Sequence, residues 1–309
     1  MNWILPSALG ISALAIGVGM TGMTDVAQAD VIAEGALSYS DQGHFMIEMN
    51  VDGVDLTMII DTGGTNTVIM GNGITAAGLT PISGGPMEVH GVSGSTAIEF
   101  YEVDSLTFGD QVWRNPRLVG MRNANNPSLT NQSIEGVVGV DLLNDFVIEF
   151  DQTDGRFRLY DSIDSLRSGL DGWRALPLRA YMSGLTVVDV EINGAPVTAL
   201  FDTGASRNLL NPEAGVAAGY AEGDPRLFTD ELPVRGALAA GSDAVRAEDV
   251  ELQWAGERFS GQNFTISDAS VFDLLQLGDR PAGAVGGALL AGRDFVVDFE
   301  NLTVWIAPD

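Results

Sequence analysis

Two aspartates are the residues best placed to do chemistry. Asp61 and Asp202 each open an Asp-Thr-Gly triplet, and they stand 141 residues apart in a chain of 309. A single such triplet is ordinary turn sequence after a strand. Two of them offer more, because carboxylates held about 3 Å apart cannot both ionise and so share one proton. The ionised oxygen can then take a proton from a water molecule while the protonated partner donates to a carbonyl oxygen. A pair of this kind needs no covalent intermediate, metal or cofactor, and none is expected here. Other chemistries lack raw material. There is no cysteine, and His44 and His90 are the only histidines, so thiol nucleophiles, disulfides, Ser-His-Asp sites and multi-histidine zinc sites are all disfavoured.

The elements that would hold these aspartates are duplicated. At the same spacing of 141, residues 47–51 (Ile-Glu-Met-Asn-Val) lie over residues 188–192 (Val-Asp-Val-Glu-Ile), with apolar and polar positions in phase, as in strands with one buried face. Asp52-Gly53 and Asn193-Gly194 follow, the pairs that favour a two-residue hairpin because both central residues take positive φ. Return strands over residues 56–60 and 197–201 run straight into the triplets, and apolar residues resume at Val68-Ile69 and Leu209-Leu210. Further on, Gly136-Val137-Val138-Gly139 matches Gly283-Ala284-Val285-Gly286, and closing hairpins follow over residues 146–160 and 295–306. The pattern predicts two complete β units related by a pseudo-twofold axis, with candidate short helices at residues 162–167 and 270–276.

The neighbours of the aspartates suit such a site. Gly63 and Gly204 permit tight turns and close main-chain approach, so that N–H groups can aim at the carboxylates. Thr62 and Thr203 supply hydroxyls that can bond across the interface between the units. With these paired motifs and the two apolar-apolar-Gly elements, the chain resembles the pepsin-like and retropepsin-like aspartic peptidases, as two fused retropepsin-like repeats, over nearly all of its length beyond residue 29. The resemblance implies an all-β, bilobal aspartic-protease fold of two β-barrel-like lobes with few short helices. It also implies that Asp61 and Asp202 bind an attacking water, that Thr62 and Thr203 interlock the lobes, and that an extended polypeptide substrate lies in the cleft. The expected activity is endopeptidase; the alternatives are an inactive peptide-binding module on the same fold and a narrow envelope-protein processing protease. Gly64 and Ala205 stand where pepsin-like enzymes carry Ser or Thr, which resembles the retroviral type. Loss of a hydroxyl that stabilises the ionised carboxylate predicts a pH optimum nearer neutral than pepsin's. The family closes a hairpin over the cleft, and the candidate here is the glycine-rich stretch with His90, Gly91, Val92, Ser93 and Gly94; residues 235–241 hold a comparable position in the second half.

Composition bounds the partners. Forty-two acidic residues against 15 basic ones, all arginine, give a net charge of −27. Nucleic acid, which needs clustered positive charge, is disfavoured as a partner. The acidity suits either solubility or a preference for basic substrates. Residues 3–20 form an apolar run, and Ala27-Gln28-Ala29 offers a small-x-small cut site, so residues 1–29 read as a signal peptide and the protein as exported, periplasmic or secreted. No Lys or Arg precedes the run, which keeps open a membrane anchor over residues 3–20; no other membrane segment is expected. The remainder divides into a first lobe over residues 30–162, a linker over 163–174 and a second lobe over 175–309. A chain carrying both half-sites is expected to be a monomer.

Overall fold

The computed structural model describes residues 31–82, 85, 87–91, 94–122, 134–221, 223–229 and 244–308. The proposed signal segment, Val92, Ser93 and residues 235–241 lie outside them. Among the described residues no helix is long and apolar enough to cross a membrane.

Strand dominates, as alternation predicts. In Phe45–Val51 every second residue is buried, and Thr186–Ile192 repeats the pattern toward its end. Asp52-Gly53 and Asn193-Gly194 all have positive φ, so each strand folds back through the predicted turn into Val54–Ile60 or Ala195–Asp202.

In the second half six strands close a barrel. From Thr186–Ile192 the path runs through Ala195–Asp202, Ala282–Gly286, Asn208–Leu210, Glu257–Ser267 and Ala244–Trp254, which pairs back onto Thr186–Ile192. Trp254 is wholly buried, and its indole Nε1 donates to Pro177 O at 3.1 Å. The first half follows the same path through Phe45–Val51, Val54–Ile60, Gly136–Val138, Val68–Met70, Arg117–Met121 and Gly94–Glu102. There the closing strand breaks at Val103-Asp104 before Ser105–Phe108 returns to Asn50 and Val51, giving a half-barrel.

The closing hairpins depart from the expectation that each half is self-contained. Val147–Asp151 with Arg156–Tyr160, and Phe295–Asp298 with Thr303–Ile306, pair with each other in one six-stranded sheet whose edges are Val31–Ala36 and Arg174–Pro177. Phe150 stacks on Phe295 across that junction, with centroids 4.3 Å apart. Both rings are fully buried, and each contributes about 1.5–3 kcal/mol by leaving water. Single 3₁₀ turns over Ile163–Ser165 and Arg167–Gly169 occupy the expected linker, and the second predicted helix is Val271–Leu274.

Candidate active site

Each aspartate stands at the end of a strand gripped on both sides. Val54–Ile60 runs parallel to Gly136–Val138, and Asp61 N donates to Val138 O at 3.0 Å. Ala195–Asp202 runs parallel to Ala282–Gly286, and Gly287 N donates to Asp202 O at 3.0 Å. The third strand of each trio, Val68–Met70 or Asn208–Leu210, lies antiparallel on the other side of that neighbour. A side chain leaving such a buried strand end has little freedom of direction.

The threonines join the halves through four bonds with twofold symmetry. Thr62 N donates to Thr203 Oγ1 at 3.1 Å, and Thr203 N to Thr62 Oγ1 at 3.0 Å. Thr62 Oγ1 donates onward to Phe201 O at 3.0 Å, and Thr203 Oγ1 to Ile60 O at 2.9 Å. Both threonines are wholly buried, so every one of these bonds is shielded from water, where its loss costs most.

Glycine is required at the centre. A Cβ on Gly63 would lie 2.5 Å from Asp202 Cγ, and one on Gly204 would lie 2.6 Å from Asp61 Cγ. Each glycine therefore abuts the carboxyl of the other half, and only a hydrogen fits in the gap. Gly63 N donates to Asp61 Oδ1 at 2.8 Å.

Asp61 and Asp202 share a side-chain hydrogen bond. Burial raises the Asp61 carboxyl above its ordinary range, opposed by the bond from Asp202 and by the Gly63 and Gly64 N–H groups. Burial raises Asp202 well above its range, and both the Asp61 charge and the shared hydrogen bond push it further, against the N–H groups of Ala205 and Gly204. Burial thus favours the protonated form at both aspartates, and the two carboxyls titrate as one coupled pair. Asp202 Oδ1 has no hydrogen-bond partner among the described residues.

Behind Asp61 lies a shell that motif reading missed. Thr67 Oγ1 accepts from Gly139 N at 3.1 Å and donates to Asp141 Oδ1 at 2.8 Å, tying the Asp61 loop to the apolar-apolar-Gly turn. In the second half Asn211 does similar work: its Oδ1 accepts from Ala214 N at 2.9 Å and from Ala282 N at 3.0 Å. Thr67 and Asn211 are buried polar residues at the ends of the apolar runs 68–70 and 209–210, which was the available signal.

Of the hairpin candidates, His90, Gly91 and Gly94 fall within a described hairpin of Met87–Gly91 and Gly94–Glu102, in which His90 pairs with Ser95 and Gly91 with Gly94. The strand Met87–Gly91 is the edge of its sheet and lies beside Val271–Leu274 of the second half. The hairpin therefore spans the space between the halves.

Two half-buried carboxyls stand on mirrored loops, gripped by mirrored threonines in a two-lobed β fold. Comparison with known families agrees: the aspartyl protease family matches residues 47–142 and again residues 188–288. The chain belongs to that family, as two fused retropepsin-like repeats, and the family is one of peptide hydrolases. A search of curated proteins returned no match.

Proposed function

We propose that the protein is an aspartic endopeptidase in which Asp61 and Asp202 activate water against a peptide bond. The observation that carries this reading is the pair of Asp-Thr-Gly carboxyls brought together at the junction of the two repeats by the mirrored threonine bonds. Asp61, ionised, takes a proton from water as the water oxygen attacks the scissile carbonyl carbon. Asp202 gives its proton to the carbonyl oxygen, so the tetrahedral intermediate forms without a free oxyanion. Collapse returns the Asp202 proton from that hydroxyl, and the proton held by Asp61 passes to the leaving nitrogen. The hairpin of Met87–Glu102 covers the substrate, and the free edge of Met87–Gly91 offers main-chain groups to an extended peptide. The apolar run and cut site at residues 3–29 support export, with the mature chain starting after Ala29.

The test is digestion of a denatured protein and a peptide library across acid to neutral pH by the wild type, Asp61→Ala and Asp202→Ala. Cleavage by the wild type with loss of at least about 10³-fold in either variant is expected. Peptide binding without cleavage by any of the three would make the protein a binding module instead.

A further inference from the structure

The pseudo-twofold symmetry that builds the active site fails at one of the two seams flanking the shared sheet. On the first seam, Tyr39 and Phe45 face one another in register, Phe45 packs against both Phe150 and Phe295, and Gln152 closes the gap. Gln152 Oε1 accepts from Tyr39 Oη at 3.0 Å and from Gly292 N at 2.8 Å, while its Nε2 donates to Leu290 O at 2.8 Å and to Arg293 O.

On the second seam the backbone repeats and the side chains do not. Ala180 pairs with Thr186 where Tyr39 pairs with Phe45, and Tyr181 N donates to Leu185 O where Ser40 N donates to His44 O. Val147 stands in place of Phe295, and Glu300 in place of Gln152. Four aromatic or amide fillers are thus replaced by smaller or charged groups, and a cavity of about 540 Å³ remains. That volume lies within the range of small-molecule sites, roughly 300–1,000 Å³. None of its lining residues belongs to the Asp-Thr-Gly loops or to the hairpin of Met87–Glu102.

The chemistry of the lining is one-sided. Thr186 is only 3% exposed, and among the described residues its Oγ1 has no partner; Asn144 Oδ1 is likewise buried and unpartnered among them. A buried acceptor without a donor is costly to leave so. Asp145, Asp161 and Glu300 stand exposed at the mouth, and no basic residue lines the cavity among those described. Phe146, Leu185 and Leu302 supply apolar wall. Acceptors within, negative charge at the rim and hydrocarbon between ask for an N–H-bearing cation with a short apolar stem.

We propose that this seam binds an organic ammonium ion, at a site distinct from the aspartate pair. The ammonium supplies donors to Thr186 Oγ1 and Asn144 Oδ1, the carboxylate rim holds its charge, and the stem lies on the apolar wall. The same chemistry comes from a free alkylamine or from a lysine side chain on a polypeptide.

The experiment is an NMR titration of the Asp202→Asn protein, in which turnover does not intrude, following the Thr186 methyl and the Asn144 side-chain amide. The probes are n-butylammonium, N-acetyl-lysine N-methylamide and, as a neutral control, n-butanol. Saturable shifts at those two residues with butylammonium, at least about tenfold weaker in Asp161→Asn/Glu300→Gln, are expected. Equal binding of the lysine derivative identifies a peptide side chain as the source, and binding of butylammonium alone identifies a free amine. Ala180→Tyr/Thr186→Phe, which copies the filled seam, abolishes the shifts. No saturation with either cation, equal binding of n-butanol, or an affinity unchanged by removing the two carboxylates would overturn the proposal.

Discussion

At the scale of the residue, burial raises both aspartates and couples their titration. Asp202 is raised above its unfolded value, so its stabilising preference for the proton is fully present below the unfolded value and lost as pH rises through the folded one. Asp202→Asn removes that loss. Its melting temperature is expected to exceed the wild type's by several degrees at pH 8 and to converge with it at low pH, as thermal unfolding across a pH series will show. Gly63→Ala forces a methyl against Asp202 Cγ, at 2.5 Å without relaxation. The displaced carboxyl is expected to cost about 100-fold in kcat, with about 1–3 kcal/mol of stability lost to overpacking; steady-state kinetics and denaturant unfolding separate the two. His44 acts in the opposite sense to Asp202. Burial lowers its imidazole to about 4, beside a Ser40 Oγ contact of 2.7 Å. Its contribution is present above the unfolded value near 6.5 and lost as pH falls through about 4. His44→Gln is expected to flatten the decline in melting temperature between those limits.

At the scale of the element, the threonine bonds are what make two strand ends into one site. Thr203→Val leaves the buried Thr62 N without its acceptor and Ile60 O without its donor, at a cost of about 1–3 kcal/mol for each orphaned group. The Thr62→Val/Thr203→Val double variant is expected to lose less than the sum of the single variants, because both remove parts of one network; a denaturant double-mutant cycle measures the coupling. These elements were legible in the sequence. Asp52-Gly53 and Asn193-Gly194 announced the hairpins, and the spacing of 141 aligned strand with strand and triplet with triplet. The break at Val103-Asp104 was not legible, because the corresponding strand of the second half, Ala244–Trp254, runs unbroken and local preference does not decide between them. Nor was the Thr67–Asp141 bond, which joins residues 74 apart through tertiary contact alone.

At the scale of the whole molecule, the shared sheet is the chief departure from what the repeats suggest. Alternation in residues 146–160 and 295–306 reveals two hairpins but not that they pair with each other, since either edge of a hairpin satisfies the same pattern. The pairing places Phe150 on Phe295 and makes the halves depend on one another for their core. Phe295→Ala is expected to cost about 3–5 kcal/mol and to unfold both halves in one transition, so that fluorescence and calorimetry report the same midpoint. The open second seam became visible only once the hairpins were aligned in space.

The most direct test of the central claim is the pH dependence of kcat/KM on one extended peptide for the wild type, Asp61→Asn and Asp202→Asn. A shared proton predicts a bell in the wild type, with an acid limb where the pair loses its first proton and an upper limb where it loses the second, and loss of at least about 10³-fold at every pH in both variants. A wild-type profile without two limbs, or either variant retaining activity within about tenfold of the wild type, would contradict it.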